Sequence, residues 1–393
     1  MDVIVVGAGA SGIIAALKAS ENNNVILLEK NDKCGKKILI TGNGKCNYWN
    51  SNINASKYNT DSKVNLEKIL EKKEETFKFL SNLGIYSIIK NDYYYPHSES
   101  SMSIKEIFTK ALEKKVKVIY NTNVLEIQQD DNKFKVITNN QEYLADKVIL
   151  STGSKASSKT GSSGDGYKIL EKLDFKLNCV LPALVGLKAK ESYLKDWDGL
   201  RVNANLNLFI DNYFIKKSAG EIQLTNYGIS GICVFNLSSL VSKALHEKKK
   251  VEIEINFFEQ DFYEFMNDYS KKIKLNLEET LESLFNYKLM YLFFKLSKID
   301  KNKCWKDLSV EEKRKFSNII NHFNLKIIDT NDFERAQVCT GGLPLSEINP
   351  LTMETKIRGF YVTGELLDVD GECGGFNLAF AFITGYIAGD QNA

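Results

Sequence analysis

The stretch Val3-Ile4-Val5-Val6-Gly7-Ala8-Gly9-Ala10-Ser11-Gly12 decides the fold. A continuous apolar run ends in glycines spaced G-x-G-x-x-G. A helical apolar pattern continues through Ile13, Ile14, Ala16, Leu17 and Ala19. A second apolar run, Val25-Ile26-Leu27-Leu28, ends in Glu29. Strand, glycine turn, helix, strand and acid form the βαβ unit that binds a dinucleotide. Gly7 permits the tight turn, Gly9 lets the backbone approach a pyrophosphate, and Gly12 lets the helix pack close to the sheet. The helix N-terminus offers unpaired N–H groups and a positive dipole end to phosphate. Glu29, 17 residues past Gly12, stands where a carboxylate accepts the hydroxyls of an adenosine ribose. An acid there favours an unphosphorylated ribose, hence FAD or NAD rather than NADP.

The chain has 393 residues, room for two or three domains. Hydrophobic residues at 43% and charged residues at 26% describe an ordinary globular protein. A net charge of +2 with no basic block argues against nucleic acid or a membrane as partner. Lys248-Lys249-Lys250 reads as a solvated loop or helix end. The seven cysteines show no C-x-x-C pair and no Cys/His metal spacing. They read as reduced thiols in a cytoplasmic protein, with no metal. The apolar start lacks a basic leader region and carries the three glycines, so it reads as a buried strand and its helix. No apolar run reaches the roughly 20 residues of a membrane span.

Two later segments return to the same chemistry. Lys147-Val148-Ile149-Leu150 is a second buried parallel strand, ending in Ser151-Thr152-Gly153. Gly359–Glu365 is a third short apolar run, followed by Asp368 to Gly371, then Gly374-Gly375-Phe376-Asn377 and a helix through Ala388. That helix N-terminus can aim N–H groups at an anionic ring edge. The loop at 33–50, with Gly35, Gly42 and Gly44, can wrap a cofactor with backbone groups. Thr160–Gly166 opens a helix, but no apolar strand leads into it, so it is not read as a second nucleotide site. Residues 199–258 alternate as antiparallel strands. Residues 259–325 carry a helical Phe/Leu stripe that reads as core.

Taken together these segments resemble the HI0933-like or BaiN-like NAD(P)/FAD-dependent oxidoreductases, a family of flavoproteins. The carrying residues are Gly35 to Asn47, Lys159 to Tyr167, Gly341-Gly342, Thr352 to Lys356, and Gly364 to Gly371 with Gly374 to Leu378. The resemblance spans nearly the whole chain. It implies an α/β fold with an FAD-binding Rossmann-like domain of the glutathione-reductase type, built from residues 1–186 and 336–393. It implies an inserted antiparallel β domain at 187–258 and a helical subdomain at 259–335. It implies that Gly7, Gly9, Ala10, Ser11, Gly12, Glu29, Lys30, Lys36 and Val124, with Thr152 and Gly153, serve the cofactor. Gly42, Gly44, Cys46, Asn47, Gly364, Glu365, Asp368, Gly375, Phe376 and Asn377 would line the ribityl chain and flavin. Asp368 is placed at the ribityl or pyrophosphate end.

The activity so implied is hydride transfer from NADH or NADPH to flavin N5, then reduction of a small organic acceptor, with a conjugated C=C bond of a steroid-type molecule as one class. Two other readings stay open. One is a flavin-dependent RNA- or protein-modifying factor, and the other is an FAD-binding protein without a small-molecule substrate. Acid–base and nucleophile candidates are few: His97 after the Tyr93–Pro96 loop, Tyr227 as a proton donor, and Cys46 within a glycine motif. Cys46 and Cys373 read more readily as small packing residues. Asn226 and Ile232 depart from the His and Pro that many relatives carry at those positions.

Overall fold

Val3, Ile4, Val5 and Val6 are all almost fully buried, as an apolar run without alternation requires of a strand covered on both faces. This strand, β1 (Asp2–Val6), is the middle of a five-stranded sheet. On one side lies β2 (Asn24–Leu28) and then Lys117–Ile119. On the other lie Lys147–Leu150 and then Phe360–Val362. Every neighbouring pair is parallel. β1 thus has its sequence successor on one flank and Lys147–Leu150, from much later in the chain, on the other. A crevice opens outside the strand ends at such a point.

The computed structural model describes residues 1–130 and 133–390. It divides into two units, one made of Met1–Ala183 and the chain from Phe333 onward, the other of Leu184–Asp332. In the first unit, α1 (Ala10–Ala19) packs against the C-terminal helix Phe376–Gly389. A Cβ on Gly385 would lie 2.3 Å from the Ser11 carbonyl oxygen, and one on Gly389 2.6 Å from that of Ala15. Only glycine admits this approach, so the two ends of the chain close on each other. Tyr93–Pro96, read in the sequence as a loop, is a strand between Trp49–Asn50 and Ser87–Lys90. Its consecutive rings suit a pleated, half-buried surface.

The second unit is a closed six-stranded barrel with helices. In order, its strands are Leu187–Ala189, Gly228–Ser230, Tyr213–Thr225, Arg201–Ile210, Val251–Asn256 and Phe323–Thr330. Leu206, Leu208, Ile222, Leu224, Ile253 and Leu325 fill its core. Two features correct the sequence reading. The region read as strands also holds a 15-residue helix, Ile232–His246. The stretch expected to be helical to 325 ends its last helix at Asn321, and Phe323–Thr330 pairs with Val251–Asn256. Phe323, Leu325 and Ile327 are buried while Asn324 and Lys326 are exposed, which is the period of a strand. The Phe and Leu stripe of the helices is core, including Phe262, Met266, Leu281, Leu289 and Phe293. Two of these helices begin in capping boxes, Asn276 with Glu279 and Ser309 with Glu312. Among the described residues no helix is long and apolar enough to cross a membrane, and no group of three or more His, Cys, Asp or Glu is placed to hold a metal.

Candidate functional site

The glycines at the end of β1 differ in what surrounds them. Gly7 has φ +98° and its N–H donates to the Leu28 carbonyl at 2.8 Å. A Cβ on Gly12 would lie 1.9 Å from the Gly7 carbonyl oxygen, so this pair clamps α1 to the sheet. A Cβ on Gly9 would meet no heavy atom within 4 Å. The space over the Gly9 backbone is open, as an approaching pyrophosphate needs. Gly9 caps α1 without a side-chain hydrogen bond, and no acid stands in the first turn. The N–H groups of Ala10, Ser11 and Gly12 are therefore available to an anion.

Glu29 is 6% exposed at the end of β2. Its Oε2 accepts from the Ala8 N–H at 2.7 Å, and its Oε1 from the Asn31 N–H at 2.8 Å and the Asn31 Nδ2 at 2.7 Å. A carboxylate has about four acceptor sites. Three protein donors fix this one, and capacity remains for a ribose hydroxyl. The Thr122 N–H donates to the Glu29 carbonyl at 2.9 Å, which brings the buried Val124 near the same strand end. Lys30 is held by Ser163 and by Asp165 at 2.7 Å. Burial opposes charge on Asp165, but the hydrogen bonds from Lys30 and Ser163 prevail and hold its carboxyl below the usual range. Lys36 pairs with Asp32 at 2.7 Å. These two lysines, read as cofactor contacts, thus have carboxylate partners of their own.

The other two segments reach the same edge. Thr152 follows the Lys147–Leu150 strand, and its buried Oγ1 has no hydrogen-bond partner among the described residues. It faces Gly166, where a Cβ would lie 2.0 Å from it. Gly153 beside it has φ +73°. Ser151 Oγ and Thr363 Oγ1 are 2.8 Å apart. A Cβ on Gly364 would lie 2.6 Å from Ser11 Oγ, so the third segment abuts the N-terminus of α1.

A second constellation follows from the 41–49 loop. Gly42, Asn43, Gly44 and Cys46 all have positive φ, and the direction of a Cβ on Gly44 is open. With its amide oriented to satisfy its neighbours, Asn47 donates to the carbonyls of Tyr94 at 3.2 Å and Trp49 at 3.1 Å. Gly375, φ +88°, caps the C-terminal helix, and a Cβ there would lie 2.5 Å from the Trp49 carbonyl oxygen. This helix, too, lacks a side-chain cap and a first-turn acid. Asn377 accepts from the Gly371 N–H at 2.8 Å and donates to the Gly371 carbonyl at 2.9 Å, ordering the turn ahead of the helix. Phe376 is buried edge-on to Tyr58.

The acids of the third segment have separate roles. Glu365 Oε2 accepts from Lys37 Nζ and Ser154 Oγ, both at 2.7 Å, with the side chain still partly open. Lys37 lies inside the Gly35–Asn47 motif and Ser154 outside any, and sequence reasoning gave neither a role in the site. Asp368 was read as a ribityl or pyrophosphate ligand. It is 2% exposed, with Oδ1 accepting from the Gly341 N–H at 2.8 Å and Oδ2 from Asn178 Nδ2 at 2.7 Å. Its carboxylate anchors Gly341 and the strand carrying Asn178. Asp368→Ala orphans both donors and is expected to lower stability by about 2 kcal/mol, read by urea denaturation. An unchanged midpoint would refute that anchoring role.

Each catalytic candidate has its own surroundings. Cys46 is fully buried, and burial pushes its thiol up to about 11 despite a hydrogen bond from Thr41. Burial likewise pushes Cys373 up to about 12. Neither is a thiolate near neutral pH. Iodoacetamide at pH 8 is therefore expected to label the exposed Cys179 in native protein and to reach Cys46 only after unfolding. Peptide mass mapping reads this, and early labelling of Cys46 would contradict it. His97 is an exposed residue 5.7 Å, ring to ring, from the exposed Tyr86. Tyr227 belongs to the barrel unit, its hydroxyl beside Gly186.

The HI0933-like protein Rossmann domain model matches residues 1–391. The chain is 35% identical to the 3-dehydro-bile acid delta(4,6)-reductase of Clostridium scindens, over 98% of this chain and 97% of that protein. It is 25% identical to the ribosomal RNA dihydrouridine synthase of Escherichia coli, over 98% and 96%. A flavocytochrome c3 fumarate reductase in its open conformation shares the fold, with a TM-score of 0.51 and 17% identity over 99% of this chain and 77% of that one.

Proposed function

The chain belongs to the HI0933-like family of FAD-dependent oxidoreductases, and on that premise we propose that it uses NADH or NADPH to saturate a C=C bond conjugated to a carbonyl in an apolar, steroid-like acceptor. The observation that carries this reading is full-length 35% identity to a bile acid reductase. The reaction adds a hydride from the nicotinamide and a proton across the double bond, leaving a saturated ketone and the oxidised nucleotide. FAD, when bound, supplies two-electron redox chemistry.

The chain's part is binding, orientation and electrostatics. The open backbone at Gly9 and the uncapped start of α1 suit the pyrophosphate. Glu29 suits the adenosine ribose. Glu365, held by Lys37 and Ser154, suits the hydroxyls of the ribityl chain. The uncapped start of Phe376–Gly389 suits the ring edge that becomes negative on reduction.

A second reading has support from the 25% identity to an rRNA dihydrouridine synthase. Dihydrouridine is uridine whose C5=C6 bond, also conjugated to a carbonyl, has been saturated. The near-neutral net charge of +2 favours the small acceptor. The test incubates FAD-loaded protein anaerobically with NADH or NADPH and either a 3-oxo-4,6-diene steroid or unmodified ribosomal RNA. Loss of dienone absorbance with the RNA unchanged is expected. Dihydrouridine in the RNA with the steroid untouched would transfer the assignment to RNA. Inertness towards both, with the flavin left oxidised, would leave an FAD-binding protein.

A further inference from the structure

We propose that the tip of the hairpin Arg201–Ile210/Tyr213–Thr225 is a docking surface for an anionic lipid bilayer. Tyr213, Phe214 and Ile215 are 76%, 58% and 43% exposed. Three consecutive bare residues present apolar side chains on both faces of one strand, where a barrel strand normally alternates. The tip is ordered: Ile210 pairs with Tyr213, and the rings of Phe209 and Phe214 meet edge-on at 5.9 Å. Its turn residues Asp211 and Asn212 both have positive φ, as a two-residue hairpin turn requires.

Strand pairing then adds charge from a distant part of the chain. Arg201–Ile210 also pairs with Val251–Asn256, with Ile210 opposite Val251. The Lys250 N–H donates to Asp211 Oδ1 at 2.9 Å, and its Nζ to Asn212 Oδ1 at 3.0 Å. Lys248, Lys249 and Lys250 are thereby brought beside the tip, and Lys216 and Lys217 follow it on the hairpin. The acids nearby are Asp211, Glu247, which pairs with Lys249 at 2.6 Å, and Glu252, which pairs with Lys250 at 3.2 Å. Five lysines against three acids leave an excess of positive charge around an apolar point. That combination suits an interface of acyl chains beneath anionic headgroups.

A second copy of the chain is the competing occupant. Tyr213–Thr225 pairs with Gly228–Ser230 only over Gln223–Thr225, so its outer edge nearer the tip has no strand partner among the described residues. Lysines at 216 and 217 lie along that stretch, and lysine on a free edge disfavours strand pairing between copies.

The experiment is flotation of the FAD-loaded full chain with vesicles of phosphatidylcholine alone or with phosphatidylglycerol added. The protein is expected to float with the anionic vesicles and to be released by salt. Binding is expected to fall about tenfold or more in Y213S/F214S/I215S and in K248E/K249E/K250E. These side chains are exposed or at the surface, so circular dichroism and thermal midpoints are expected to stay unchanged, which separates lost docking from lost folding. No partition into anionic vesicles, or equal partition of the apolar-tip variant, overturns the proposal. A concentration-dependent dimer that the tip variant abolishes, without vesicle binding, also overturns it and assigns the tip to a second copy.

Discussion

Gly9→Val is expected to fold normally and to lose FAD affinity about 100-fold or more, whereas Gly12→Ala is expected to lose stability as well. The two glycines are three residues apart in the same motif, but their surroundings differ. Gly9 has φ −83°, which any residue adopts, and nothing lies within 4 Å of a Cβ there. A valine meets no protein atom at its Cβ but occupies the path of the pyrophosphate. Losing two charge-assisted hydrogen bonds at about 1.5–3 kcal/mol each accounts for the expected fall. At Gly12 the Cβ would lie 1.9 Å from a backbone oxygen that cannot rotate away. Helix α1 must shift from the sheet, at a cost of about 3 kcal/mol, and the loop loses its shape with it. Urea denaturation and FAD titration by flavin fluorescence separate the two effects. Gly9→Val binding FAD as tightly as the parent would contradict the pyrophosphate assignment.

Glu29→Ala is expected to have the second largest effect. The carboxylate accepts three hydrogen bonds from Ala8 and Asn31 and ties the glycine loop to the end of β2. Its removal orphans those donors in a largely buried place, at about 2–4 kcal/mol of stability. The ribose contact is lost too, so FAD affinity is expected to fall about 100-fold. Glu29→Gln keeps the shape but sets an amide nitrogen against an N–H donor. It is expected to lie between the parent and Glu29→Ala in both measurements. If Glu29→Ala loses stability but keeps FAD affinity, the residue is a loop anchor and not a ribose ligand.

The half of the candidate site proposed for adenosine was legible because its parts are local. Gly7 to Glu29 place strand, turn, helix and acid within one short stretch, and each has a distinct residue type. The opposite half was less so. Lys37, Ser154 and Glu365 converge from three segments, and Lys37 is an ordinary helix lysine until Glu365 is set beside it. Asp368 stands in a glycine-rich motif that reads as ligand-binding, and the structure adds a second role, accepting from Gly341 and Asn178. Burial and partners decide that role, and neither is written in the motif. In the second unit, Phe323–Thr330 was merged with the helix before it because one residue, His322, separates period 3.6 from period 2. The lysines beside the hairpin tip were read as a solvated run, since only strand pairing brings 248–250 to 213–217.

The central claim is that both ends of the chain and the 147–166 segment hold one FAD. The most direct test is the absorbance spectrum of the purified protein, followed by titration with FAD if the spectrum is colourless. One tightly bound FAD per chain, lost in Gly9→Val while the fold persists, is the predicted result. A protein that carries no flavin and binds none when FAD is added would contradict the assignment of Gly7 to Glu29.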